Sequence, residues 1–107
     1  MTVVAILRAA RAHIATPERW TQGAFARTAD GVRCPAYDTT ATCWCIGGAV
    51  LAVAAFSDKR ADALFALHQA AGKHQHIGVW NDVPARTHAE VLAILDCTIA
   101  AFEKEQP

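Results

Sequence analysis

The chain lacks a charge excess of either sign. Ten Lys and Arg stand against ten Asp and Glu, so no global field draws in nucleic acid or an anionic membrane. Up to Ser57 there are five basic and three acidic residues, and after it five basic and seven acidic. A polarity of +2 against −2 is too small for a nucleic-acid footprint. Nucleic-acid binding therefore ranks below the other classes, carried only by the scattered arginines Arg8, Arg11, Arg19, Arg27 and Arg33. The uncharged run Ala41–Phe56 falls short of the roughly 20 residues that a membrane span needs, and it contains Gly47 and Gly48. A secretory layout is missing too, because Arg8 interrupts the first apolar run. Together these absences predict a cytoplasmic protein with reduced thiols and no membrane contact. No phosphate loop, Cys-x2-Cys spacing, internal repeat or low-complexity tract occurs, so neither cofactor nor metal is expected.

What is present is apolar and rich in alanine. Of 107 residues, 53% are hydrophobic, enough for one ordinary core and for a single domain over residues 1–107. The pattern predicts a mainly α fold, a five-helix bundle around a buried central helix at 40–56, with a small β-hairpin near 24–36. Val3, Leu7, Ala10 and Ile14 share one stripe of a first helix over 3–15. Thr16-Pro17-Glu18 opens a short second one that ends near Gly23. The Asp30-Gly31 pair is the hairpin signal. Ser57 and Asp58 open a helix to about residue 71, stopped by Gly72, and a polar loop follows. Thr87 and Glu90 form a capping box for the last helix, 88–105, with Val91, Leu92, Leu95, Thr98, Ile99 and Phe102 as its stripe.

Residues 42–50, TCWCIGGAV, raise the sharpest question. On a regular helix Cys43 and Cys45 would point roughly 160° apart, which rules out one shared metal ion. The same wheel puts Ala41, Cys45, Gly48, Ala49 and Ala52 on a strip of small residues, where a neighbouring backbone can approach closely and cysteine acts as a small hydrophobe. The catalytic alternative makes Cys45 a nucleophile in the first turns of a helix. His76, or else His74 or His88, would be its base, and Asp82 or Asn81 the orienting group. Finding Cys45 lining an open cleft beside an imidazole would overturn the packing interpretation and put the catalytic alternative in its place.

A second dense stretch is VWNDVPARTHAE, residues 79–90. Trp80, Asn81, Asp82 and Arg86 are the candidate binding cluster. In the structural reading of the same residues, Trp80 anchors the loop, Asn81 and Asp82 form an Asx-type turn, and Arg86 pairs with Asp82. His74 and His76, two apart, could share a metal with His68, a weak signal beside solvated loop histidines.

These two stretches carry a resemblance. Ala41, Trp44, Cys45, Gly48 and Ala49, followed by Trp80, Asn81, Asp82, Pro84, Arg86 and Thr87, with Trp20, Gly23, Ala24 and Asp30-Gly31 upstream, resemble a family of small bacterial and phage proteins known as a domain of unknown function. The likeness covers about residues 18–102, and Cys34 and Cys43 fall outside its pattern. It implies a compact, mostly helical domain and transfers no catalytic residue, ligand or partner. The function expected from the sequence is thus non-enzymatic: a small binding or accessory module acting through an unidentified protein partner, with self-association permitted. The competing classes are the Cys45 enzyme and, behind it, the nucleic-acid accessory protein.

Overall fold

A computed structural model describes residues 1–72 and 75–105. Thr2 caps the first helix, α1 (Val3–His13), its hydroxyl accepting from the Ala5 N–H. Leu7, Ala10 and Ile14 of the expected stripe are buried, joined by Val4 and Ile6. The second expected helix is one 3-10 turn, Pro17–Arg19. The hairpin is present: β1 (Ala26–Thr28) and β2 (Arg33–Cys34) pair antiparallel, with Ala26 opposite Cys34, and Gly31 takes a φ of +80° in the turn.

The largest departure lies in the central segment. Residues expected to start a helix at 40 instead form a strand, β3 (Ala41–Trp44), which pairs antiparallel with β1 in a three-stranded sheet ordered β2-β1-β3. Trp44 is buried and Thr42 exposed, although residues two apart on a regular strand share a face. The register passes from Arg27–Cys43 to Thr28–Ala41 and leaves Thr42 unpaired at a bulge. Helix α2 (Ile46–Val53) is therefore only eight residues long. It is buried from Ile46 to Val50, but Leu51, Ala52 and Val53 are half-buried, so a 40–56 helix at the axis of a bundle is not what the chain builds. The physical reason is pairing: an antiparallel partner strand supplies ladder hydrogen bonds that helix periodicity does not anticipate. With Cys43 on a strand and Cys45 at a helix cap, the wheel argument about the two thiols no longer applies.

Gly48 still fulfils part of the small-strip expectation. A Cβ there would overlap the Phe25 carbonyl oxygen, so the start of α2 and the chain entering β1 meet backbone to backbone. The Cys45 N–H donates to that same carbonyl at 3.1 Å.

The remaining helices are α3 (Arg60–Ala71), α4 (Ile77–Asn81) and α5 (His88–Glu105). Gly72 ends α3 with a φ of +79°, and α4 stands where a polar loop was expected. The capping box of α5 is formed: the Thr87 N–H donates to Glu90 Oε1 at 2.9 Å, and the Glu90 N–H donates to Thr87 Oγ1 at 3.2 Å. Val91, Leu95, Thr98 and Ile99 are buried beneath it, with Leu92 and Phe102 at the margin. Helix α1 packs on α2, α3 and α5, while α4 lies against α2 and α3. The described residues make one compact globule with a single core cluster, and none of its helices is long and apolar enough to cross a membrane.

Candidate functional site

Trp20 and Trp44 organise the side of the molecule where α2, α4 and the sheet meet. Trp44 lies inward on β3 and its indole N–H donates to the Ala36 carbonyl at 2.9 Å. The His13 ring lies tilted against the indole, centroids 3.9 Å apart. Beside β3, the Thr21 N–H donates to the Trp44 carbonyl at 3.0 Å, so residues 20–21 cover the outer edge of the strand. That lays residues 20–23 across the front of α4.

Asn81 holds this segment in place. It is fully buried and every hydrogen bond of its amide is used inside the protein. Its Oδ1 accepts from Trp20 Nε1 at 2.8 Å and from the Ile46 N–H at 3.1 Å. Its Nδ2 donates to the Thr21 carbonyl at 3.1 Å and to Asp82 Oδ1 at 3.0 Å. One side chain thus joins the α4 end, the start of α2 and the Trp20–Gly23 segment. Asp82 is exposed, and its Oδ1 also accepts from the Gly23 N–H at 2.9 Å. The Asx-type turn expected from sequence is replaced by these bonds across to residues 20–23.

The expected Asp82–Arg86 pair is replaced as well. The Arg86 guanidinium lies 3.9 Å over the Trp80 ring, its Nε donates to the Trp80 carbonyl at 2.9 Å, and its Nη1 meets Glu90 at 3.2 Å. Of the four candidate binding residues, only Asp82 lines the cleft; Asn81 is buried behind it, and Arg86 stacks on Trp80 and reaches Glu90 of α5.

That cleft, about 690 Å³, is lined by Cys45, His76, Asp82, Arg33, Phe25 and neighbours from residues 23–35. The catalytic alternative named from sequence is therefore brought together in one place. Cys45 caps α2 from its floor, 5% exposed, with its Sγ accepting from the Gly48 N–H at 3.2 Å. Burial pushes the thiol pKa up, the Asp82 charge adds to this, and the Gly48 and Gly47 amides oppose it. His76 caps α4 from the rim, its Nδ1 accepting from the Gly78 N–H at 2.9 Å. No hydrogen bond joins Cys45, His76 and Asp82 to one another among the described residues.

His88 lies elsewhere, with Nε2 2.7 Å from the Ile14 carbonyl oxygen, and His74 is outside the described residues. His68 stands on α3 with its ring 4.5 Å from that of His76. Among the described residues no three His, Cys, Asp or Glu side chains are placed to hold a metal ion.

Sequence reasoning passed over Arg33 and Phe25 as site residues. Phe25 is 55% exposed and forms the wall between the cleft and a second, apolar groove of about 970 Å³, lined by Pro35, Tyr37, Leu51, Phe56 and Leu64. The signal available was the pair of phenylalanines at the ends of predicted elements, Phe25 at the start of the hairpin and Phe56 at the end of the central helix. No curated protein and no solved structure matches the chain. A family model does, over residues 1–101, and the chain belongs to that family, DUF6197, a family of unknown function.

Proposed function

We propose that this protein is a small non-enzymatic binding module that takes a segment of a protein partner across the cleft and the apolar groove beside it. The observation that carries the reading is the exposed aromatic rim. Phe25 is 55%, Tyr37 75% and Phe56 fully exposed, and all three line the groove, with Phe25 and Pro35 shared by the cleft. Aromatic side chains clustered at a concave surface supply large contact area at small entropic cost. In the cleft itself, Arg33 and His76 offer donors and Asp82 an acceptor, which suits a backbone or polar side chain next to an apolar anchor. A cytoplasmic setting, in bacteria or their phages as the motif resemblance implies, belongs to the same proposal.

The test places a photo-crosslinking amino acid at Tyr37 or Phe56 in the native host. A discrete adduct is expected from each, and none from a control at Ala93 on the exposed side of α5. Absence of adducts from positions 37 and 56 would remove the reading.

A cysteine-dependent enzyme is the second reading, favoured by the convergence of Cys45, His76 and Asp82 on one cleft. Against it, Sγ and Nδ1 are both committed to backbone amides of their own helices, and the thiol is held protonated by burial. Iodoacetamide at about pH 6, read residue by residue by peptide mass spectrometry, separates the two. The binding reading expects Cys45 to alkylate more slowly than the exposed Cys97; faster labelling of Cys45 would support the enzyme.

A further inference from the structure

Helix α4 begins on two imidazoles. The Ile77 N–H donates to His68 Nδ1 at 2.9 Å, and the Gly78 N–H donates to His76 Nδ1 at 2.9 Å. Consecutive amides at the start of one helix are thus satisfied by two rings whose centroids lie 4.5 Å apart. An Nδ1 that accepts a hydrogen bond has no proton of its own, so each neutral ring carries its proton on Nε2. This arrangement leaves neither ring a free lone pair for a metal, and it makes both rings depend on staying neutral.

Acid removes both acceptors. A protonated imidazole donates from both nitrogens, so Nδ1–H would face an amide N–H, donor against donor. Two charged rings at this separation would also repel each other. Helix α4 spans five residues and is far too short to persist on its own hydrogen bonds. Its far end carries Asn81 and Asp82, which hold Trp20, Thr21, Gly23 and the Ile46 amide.

We infer that His68 and His76 form a pH-sensitive latch, closed at neutral pH, whose protonation releases α4 and with it the wall of the Cys45 cleft. The charge acting on His68 is that of His76; burial, and then that charge, lower the His68 pKa. Around the cleft the other titratable and charged groups are Asp82 after α4, Cys45 before α2, and Arg33 and Cys34 on β2. Helices α1 and α5 meet α3 at the apolar core that holds Ala63 and Leu67. His74 and Lys73, in the α3–α4 connection, are outside the described residues, so the test is run in a His74→Asn background. The latch goes beyond the binding reading and is read without any ligand.

Two measurements test it. Long-range 15N NMR at about pH 7.5 should find both rings as the Nε2–H tautomer; an Nδ1–H tautomer at either ring would overturn the latch. Amide exchange, corrected for intrinsic rates, should show protection of Ile77, Gly78 and Gly23 falling about tenfold or more between about pH 7.5 and about pH 5, while Leu95 in α5 keeps its protection. In the double variant His68→Asn, His76→Asn, the side-chain oxygens replace Nδ1 as acceptors that do not titrate, and the fall should disappear. Protection that is independent of pH in the parent chain, or that falls equally in the double variant, would overturn it.

Discussion

Asn81 shows how much of a candidate site can be structural support. A buried amide with both oxygen bonds and both nitrogen bonds made inside the protein has nothing left to offer a ligand. Replacing it by alanine leaves the Trp20 indole N–H, the Ile46 N–H and the Thr21 carbonyl without their partners. Buried groups stripped of a hydrogen bond cost about 1–3 kcal/mol each. Asn81→Ala should therefore lower unfolding stability by about 3 kcal/mol or more, measured by urea denaturation. A loss below about 1 kcal/mol would show that water replaces the amide and that the three segments are held by other means. Cys45 makes a related point on a smaller scale, since its thiol serves as a helix cap, a task the sequence more often gives to Ser, Thr, Asp or Asn.

At the scale of elements, the long and strongly patterned ones were legible. The first helix, the hairpin turn, the Gly72 stop and the Thr87–Glu90 box announce themselves through local chemistry, and each is formed. The strand at Ala41–Trp44 was not legible, because TCW reads equally well as the start of an apolar helix; only its partner β1, fifteen residues earlier, decides the matter. Helix α4 was missed for a similar reason. Its first turn is stabilised by His68 from another helix, a contact that no local pattern encodes. The candidate site followed the same division. Cys45, His76 and Asp82 were named from the sequence and do share a cleft, yet Asp82's bonds to Gly23 and Asn81, and Arg86's stacking on Trp80, depend on tertiary approach. The helix-wheel treatment of Cys43 and Cys45 failed outright once the strand displaced the helix.

For the whole molecule, acid is the condition that acts on several places at once. The His68 pKa is lowered by burial and by His76, and the His13 pKa by burial and by Arg19. For a histidine whose folded pKa lies below its unfolded value of about 6.5, the unfolded chain binds more protons in the interval between the two. Stability is then complete above that unfolded value and declines as pH falls toward the folded one. Urea midpoints should be flat from about pH 8 to about pH 6.5 and fall below it. Substituting His13 and His68 by Asn should flatten the profile in that interval; an unchanged profile would mean other groups set it. The carboxylates Asp38 and Glu90, both lowered by hydrogen bonds to threonine, come into play only at more acidic pH.

The packing of the first helix on the last also governs when the molecule can assemble. Ile6 and Leu7 of α1 are fully buried, α5 is one of the helices packed on α1, and the ion pairs Arg8–Glu103 and Arg11–Asp96 bridge the same two helices. Along the chain α2 and α3 lie between these two helices, so during synthesis α1 meets its α2 and α3 neighbours before α5 can complete the cover. Until α5 emerges, part of the apolar side of α1 stays uncovered, a window in which a chaperone would find its handle.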